Sequence, residues 1–394
     1  MKKIINIVLF SFVTVCFSQT TVQSKLTILK GTQVSVLKNL NITNTANVVN
    51  DGELILKANI INNGILSYSP TSTSSKVNFV GDNQEIAGSN TLFLYNVLFN
   101  NNGIALNGIV QIDNDANFTK GIVNNRDYNG TLFFNELSDH INTSNESFVD
   151  GTILRTGSLD FTLPVGINNT YRPISIEGVS TTTSFSSTYF LENSNIEYPH
   201  DLKTNLIQFI DTNEYWELER TKGDDFAIIE LTRDINTSSS EILKAELKNI
   251  HIVRWDANKK FWVDEGGIPD ATKSSIKTIS KVSGSGVFSL AIVFADKILP
   301  KDLVIYNNLT PNGDGINDVL FISGIEKHPD NVVQIFNRWG NLVTEIKGYD
   351  NKGKAFRGLF NSEILPSGTY YYVLTYNVKG PDVRRIGYLY INGK

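Results

Sequence analysis

The sequence predicts an all-β chain built in series: a short β-solenoid, then a β-sandwich, then an Ig-like C-terminal β-sandwich. Three observations carry this. Apolar residues recur with a period of two in short runs, the period of a strand and not of a helix. Asn, Gly and Asp interrupt those runs at close intervals, as turns between strands require. The charged fraction is 19%, below the ordinary share of roughly 25%, which suits extracellular β-proteins with long polar turns.

The chain opens with Lys2 and Lys3, an apolar run from Ile4 to Phe17, and then polar residues. A basic start and an apolar stretch too short to span a bilayer predict a secretory signal peptide over residues 1–18, cleaved near Ser18 or Gln19. Cys16 is the single cysteine, and Val13-Thr14-Val15 lacks the small residues that precede a lipidated cysteine. Once Cys16 leaves with the signal, neither a disulfide nor a thiolate metal site is available. No later apolar run is long enough for a membrane helix. A net charge of -5 over 394 residues argues against a nucleic-acid partner.

Residues 24–147 form an Asn-rich region in which apolar pairs alternate with polar corners: Val34/Val36, Leu40/Ile42, Leu54/Leu56, Ile104/Leu106, Val110/Ile112. The gaps are too short for helices and too regular for disorder. With Asn63-Gly64, Asn102-Gly103 and Asn107-Gly108 at corners, they predict a parallel β-solenoid of a few coils, with Asn ladders along the stacked turns. Ordinary hairpins compete with this reading, because Asn-Gly is also a hairpin signal. The solenoid is preferred because such short strands need no longer alternating partners.

Residues 148–295 carry longer alternating strands, such as Tyr215-Trp216-Glu217-Leu218-Glu219 and Val287-Phe288-Ser289-Leu290-Ala291, which predict a β-sandwich. Ser238 to Lys248 reads as one short helix or a loop excursion. A linker is expected over 296–302, around Pro300.

Residues 303–394 close the chain with four motifs: Thr310-Pro311-Asn312-Gly313-Asp314-Gly315-Ile316-Asn317-Asp318, then Asn337-Arg338-Trp339-Gly340-Asn341, then Pro366-Ser367-Gly368-Thr369-Tyr370, and finally Gly387-Tyr388-Leu389-Tyr390-Ile391. Tyr370, Tyr372, Leu374 and Tyr376 alternate with Tyr371, Val373 and Thr375, so the segment is a strand. In identity and order these motifs resemble the gliding-motility-associated C-terminal domain of Bacteroidetes, the type B sorting domain of the type IX secretion system. Phe356 stands where that family usually carries a Trp. The resemblance implies that Pro311, Asn312, Gly313, Asp314, Gly315, Asn317, Asp318, Asn337, Arg338, Trp339, Gly340, Pro366, Gly368 and Tyr370 belong to a sorting signal. It also implies that the signal is read by the outer-membrane translocon and an associated barrel protein.

Candidate chemistry is sparse. Asn312, Asp314, Asn317 and Asp318 gather oxygens that a calcium ion would accept, but acidic ligands are few, and an array of Asx turns accounts for the same residues. Trp216, Trp255 and Trp262 offer an aromatic platform for a sugar, or a sandwich core, and their alternating strands favour the core. Glu217 and Glu219 share one strand face, as paired carboxylates of a glycosidase would, yet surface strands carry such pairs routinely. His140, His200, His251 and His328 have no zinc spacing. No nucleophile elbow, phosphate loop or dinucleotide fingerprint is present. Arg384-Arg385 reads as charge that protects a sheet edge, or as an edge left open for strand addition by an export partner.

Together these features predict a secreted or cell-surface protein that is not an enzyme, uses no cofactor, and carries an adhesive or structural passenger. Its contacts would be surface glycans or other surface proteins. The alternative is a carbohydrate-binding protein or glycan-active enzyme using an aromatic face of the middle domain.

Overall fold

The structure, a computed structural model, describes residues 19–204, 206–282, 284–294, 303–377 and 382–393. The signal peptide expected over 1–18 and the linker expected over 296–302 lie outside the described residues. Strands account for 50% of the chain and helix for 4%, so the all-β class holds. No helix of the described residues is long and apolar enough to cross a membrane.

From Gln19 onward the short strands stack in parallel as a β-solenoid of about 7 turns with three faces. The first face runs from Gln19–Val22 through Ile104–Leu106 to Val165–Ile167, the second from Lys25–Ile28 to Ile153–Gly157, and the third from Gln33–Val36 to Asp139–Ile141. Leu40 pairs with Ile60 and Ile104 with Val123, each in parallel register, which rules out the hairpin alternative. A strand of three or four residues cannot stabilise a hairpin alone, but a stack buries its inward residues on the turns before and after it. Leu54 and Leu56 are accordingly buried between Glu53 and Ile55, which are only partly covered. Inside the third face Phe79, Phe99 and Phe118 form a ladder with centroids 5.8 and 4.9 Å apart.

The asparagines earn their corner positions by satisfying the backbone of neighbouring turns. Asn62, fully buried, donates to the carbonyls of Asn90 and Thr91, and Asn125 donates to those of Gly130 and Thr152. Asn114 reaches the Asn96 amide oxygen at 2.8 Å while Asn96 donates to the Ser75 carbonyl, a true side-chain ladder. A buried carbonyl without such a donor would forfeit its hydration with nothing in exchange. At Gly64 a Cβ would lie 2.3 Å from the Thr43 oxygen, so only glycine lets that corner close on the turn before it.

Pairing does not stop at the boundary expected between 147 and 148. Val149 pairs in parallel with Val165, so residues 148–167 finish the stack. The second face then continues without a break: Ile153–Gly157 pairs antiparallel with Thr183–Phe190, which leads to Tyr215–Lys222, Gly286–Val293, Ile250–Asp256 and Phe261–Gly266. A second sheet, Phe161–Leu163, Ile174–Glu177, Ile228–Thr232, Ser275–Lys277 and Ile268–Asp270, lies against it to make the sandwich. One hydrophobic core accordingly runs from Ile28 to Leu290. The expected helix is a single short one, Ser240–Lys244, followed by the 3-10 turn Leu247–Asn249, and Ile242 is its buried anchor.

Between the two sheets lies a buried ion pair. The Arg172 guanidinium meets both oxygens of Glu214 at 2.9 Å, and Tyr189 and Ser238 donate to the same carboxylate. Arg172 also donates to Thr232, while Trp216 donates its indole N–H to the Arg172 carbonyl. Every charge is thus bonded, the condition under which a buried pair is tolerated.

Because solenoid and sandwich share a sheet and a core, Phe99→Ala is expected to destabilise the body by about 3–5 kcal/mol. Calorimetry should then show one transition for residues up to 294 moving to lower temperature as a unit; two transitions, only one of them shifted, would count against a shared core.

Candidate functional site

The sequence motifs with the most specific pattern lie in residues 303–393, which build a separate core from Leu303, Leu309, Ile335, Tyr349, Phe356, Leu374, Tyr376, Leu389 and their neighbours. Its main sheet orders Asn308–Leu309, Asp382–Ile391, Gly368–Asn377, Val332–Phe336 and Leu342–Lys347, with two short ladders beside it. Strand alternation decides which side chains fill it. Tyr370, Tyr372, Leu374 and Tyr376 face this core, whereas Tyr371 and Val373 face the other way. Phe356 is buried, so an aromatic ring does fill the place where the resembled family carries Trp. Tyr349 ties three segments together: its hydroxyl donates to the Leu320 carbonyl and accepts from the Phe356 N–H, and burial raises its pKa.

The first two motifs build turns, the third enters the strand Gly368–Asn377, and the fourth lies within the strand Asp382–Ile391. Asp318 accepts the N–H groups of Gly313 and Gly315, both at 2.7 Å, and of Asn312 at 3.1 Å. Asn312 accepts from the Asp314 N–H, and Asp314 accepts from Ile316 and from the Asn312 amide. The Asn317 carbonyl accepts from Thr310. The side-chain oxygens of Asn312, Asp314 and Asp318 are therefore turned toward the loop's own donors, an Asx-turn array. The N–H groups of Gly313 and Gly315 hold the Asp318 carboxyl below the usual carboxylate range. Among the described residues no cluster of three His, Cys, Asp or Glu side chains is placed to hold a metal ion.

Asn337 closes the second turn by accepting from Trp339 and Asn341, each at 3.0 Å. Gly340 has φ 77°, the left-handed region that favours glycine, and Arg338 covers the exposed Trp339 ring at 4.4 Å. Pro311 packs beside Gly358, and the Tyr370 hydroxyl donates to the Pro366 carbonyl. Gly368, at φ 156°, meets no atom at its Cβ position. These residues shape the module's outline; they do not converge on one pocket.

The sheet's outer face is a contact that sequence reasoning missed. Phe336 and Val373, with Tyr371 and Ile386, pack on Ile279 and Ile268 of the sandwich. Arg384 bonds Glu265 at 2.7 Å and Ser280 at 3.2 Å, and Glu265, itself 1% exposed, also holds Arg254 at 2.9 Å. Arg384 is thus an interdomain anchor and not a solvated edge charge. Arg385 points to the opposite face and approaches Tyr376 at 3.5 Å. Nothing in local sequence links Glu265 to Arg384, although the run of alternating residues around Val373 signalled that both faces of that strand are apolar.

The middle domain's candidate residues lie elsewhere. Trp216 and Trp262 are fully buried and Trp255 nearly so; Trp255 and Trp262 meet edge to face at 68° and not as a coplanar platform. Glu217 and Glu219 share a sheet face with Thr188 and Ser186, their partners on the next strand, neither of them a carboxylate, and burial raises the pKa of both glutamates. The histidines stay apart: His140 bonds Thr162, His200 bonds Ser194, His251 bonds Asp264, and His328 meets Tyr376 edge-on.

Residues 303–391 match the family model described as the CHU_C Type IX secretion signal domain. No curated protein and no solved structure matches the chain. The C-terminal module is a type IX secretion signal, which implies interaction with the secretion machinery and export out of the cell or to its surface.

Two outcomes follow from this geometry. A carboxylate whose folded pKa is depressed stabilises the fold above the ordinary carboxylate range and loses that contribution as pH falls through its folded value. Asp318→Asn should therefore lower the module's melting temperature at neutral pH and flatten its decline on acidification, read by thermal melts across pH. Arg384→Ala should weaken the module's attachment by roughly 1–3 kcal/mol, whereas Arg385→Ala changes it by less than about 0.5 kcal/mol; denaturant melts of the full chain separate the two.

Proposed function

With a secretion signal at the C-terminus, we propose that this is an exported surface protein in which the solenoid and sandwich form an adhesive or structural passenger. In this reading a signal peptide over residues 1–18 takes the chain across the inner membrane, as in Bacteroidetes cells that use this route for gliding-associated surface proteins. The C-terminal module then folds in the periplasm and is read, as a shape, by the translocon and an associated outer-membrane barrel protein. Delivery rests on recognition, and the passenger works by contact instead of bond chemistry.

The observation that carries the reading is that the module has its own core, distinct from the one running from Ile28 to Leu290. A tag that folds independently can be presented by any cargo. Burial of Trp216, Trp255 and Trp262 supports a contact-making passenger over one that binds sugar on an aromatic face of the middle domain.

Ending the chain after Asp302 and following an epitope-tagged product tests the delivery role. Retention in the periplasm, with the β-rich far-UV signature of the remaining body kept, is expected; surface display equal to that of the full chain would overturn it.

A further inference from the structure

The first face of the solenoid is hollowed by unequal turns. Ile104 pairs with Val123, but Val123 pairs with Val149, and part of the added length emerges as the corner 125–130 that carries Tyr128. Further along, the face ends in the hairpin of Val165–Ile167 and Thr170–Tyr171, whose turn residues Asn168 and Asn169 hold φ of 50° and 64°. On the turn before the corner 125–130 the floor is low, because Gly103 and Ala105 occupy it. The result is an open groove of about 630 Å³, within the roughly 300–1,000 Å³ of ligand sites.

Its chemistry is amide-rich and nearly uncharged. Asp150 is neutralised by Arg126 at 2.6 Å, and Glu85 is held by the Asn107 amide at 2.8 Å. Asn59 is fixed by accepting the Glu85 N–H, and Asn124 by bonds with Asp127 in both directions. By contrast the side-chain amides of Asn83, Asn168 and Asn169 and the Tyr128 hydroxyl have no hydrogen-bond partner among the described residues. Each amide offers a donor and an acceptor side by side, the pattern that vicinal hydroxyls of a sugar match. Tyr128, 39% exposed, offers a ring to the apolar face of a pyranose. The Glu85 carboxylate disfavours a polyanion, and the apolar part of the lining, Ile104, Ala105 and Ile122, is small beside the apolar core of a protein interface.

We propose that this groove binds a neutral polysaccharide, with Tyr128 stacking on a sugar ring and Asn83, Asn168 and Asn169 bonding its hydroxyls. The proposal deepens the reading of the passenger as the contact-making part and rests on it. The ligand face lies on the solenoid and not on the sandwich.

Affinity electrophoresis of the purified full chain tests it, in gels containing soluble β-glucan, mannan or xylan, with polygalacturonate as the acidic comparator. At least one neutral polymer should retard the chain. Tyr128→Ala, and Ala105→Arg, which fills the floor, should each weaken retardation at least about tenfold, a loss near 1.4 kcal/mol. Ile109→Ser, on the second face, should leave it unchanged, as should Tyr128→Phe to within about threefold. Retardation by polygalacturonate alone, by none of the polymers, or equally in wild type and both groove variants, with melting temperatures preserved, would overturn the proposal. Purified protein reports binding whether or not the module directs export, so failure here and failure of the delivery reading are separable.

Discussion

The body of the molecule depends on one constraint: an inward side chain of any solenoid turn is dry only if the next turn covers it. A stack therefore cannot simply end, since its last turn would leave apolar residues and a row of backbone groups open. Here the C-terminal end is resolved by a change of direction. The second face accepts the antiparallel strand Thr183–Phe190, and the sheet grows onward into the sandwich. The sandwich is thus the cap of the solenoid as well as a domain in its own right, and a single core is the consequence.

The same logic of satisfaction governs the polar interior. Corner asparagines supply donors to carbonyls that the short parallel strands cannot reach, so their abundance reflects backbone accounting as well as turn chemistry. The buried Arg172–Glu214 pair is bonded on all sides, and the Arg254–Glu265–Arg384 chain extends the principle to the contact between sandwich and C-terminal module. Charges fixed this way add modest net stability but penalise any other arrangement of the sheets around them.

In the C-terminal module one strand serves two masters. Its alternate residues fill the module's own core on one side and the sandwich contact on the other, so the export signal is mounted on the cargo by the reverse face of the strand that holds it together. Motif residues such as Asn337 and Asp318 act through backbone geometry, fixing turns whose surface carries Trp339 and Ile316 into solvent. What a partner can read is therefore an outline held by hydrogen bonds, not a pocket.

Much of this was legible from residues alone, because it rests on local periodicity and turn chemistry. The paired apolar residues with Asn corners indicated stacked strands, the Tyr370–Tyr376 alternation indicated a two-faced strand, and the Asn312–Asp318 spacing indicated an Asx-rich loop. What the sequence could not contain was the outcome of contacts between distant residues. That the stack runs past residue 147 into the sandwich, that Glu265 meets Arg384, and that Gly103, Ala105 and Tyr128 hollow one face all depend on register and on the size of neighbours in other turns. Period and turn type are short-range properties of the chain; burial, pairing across a sheet and concavity are decided only when the whole set of strands is packed.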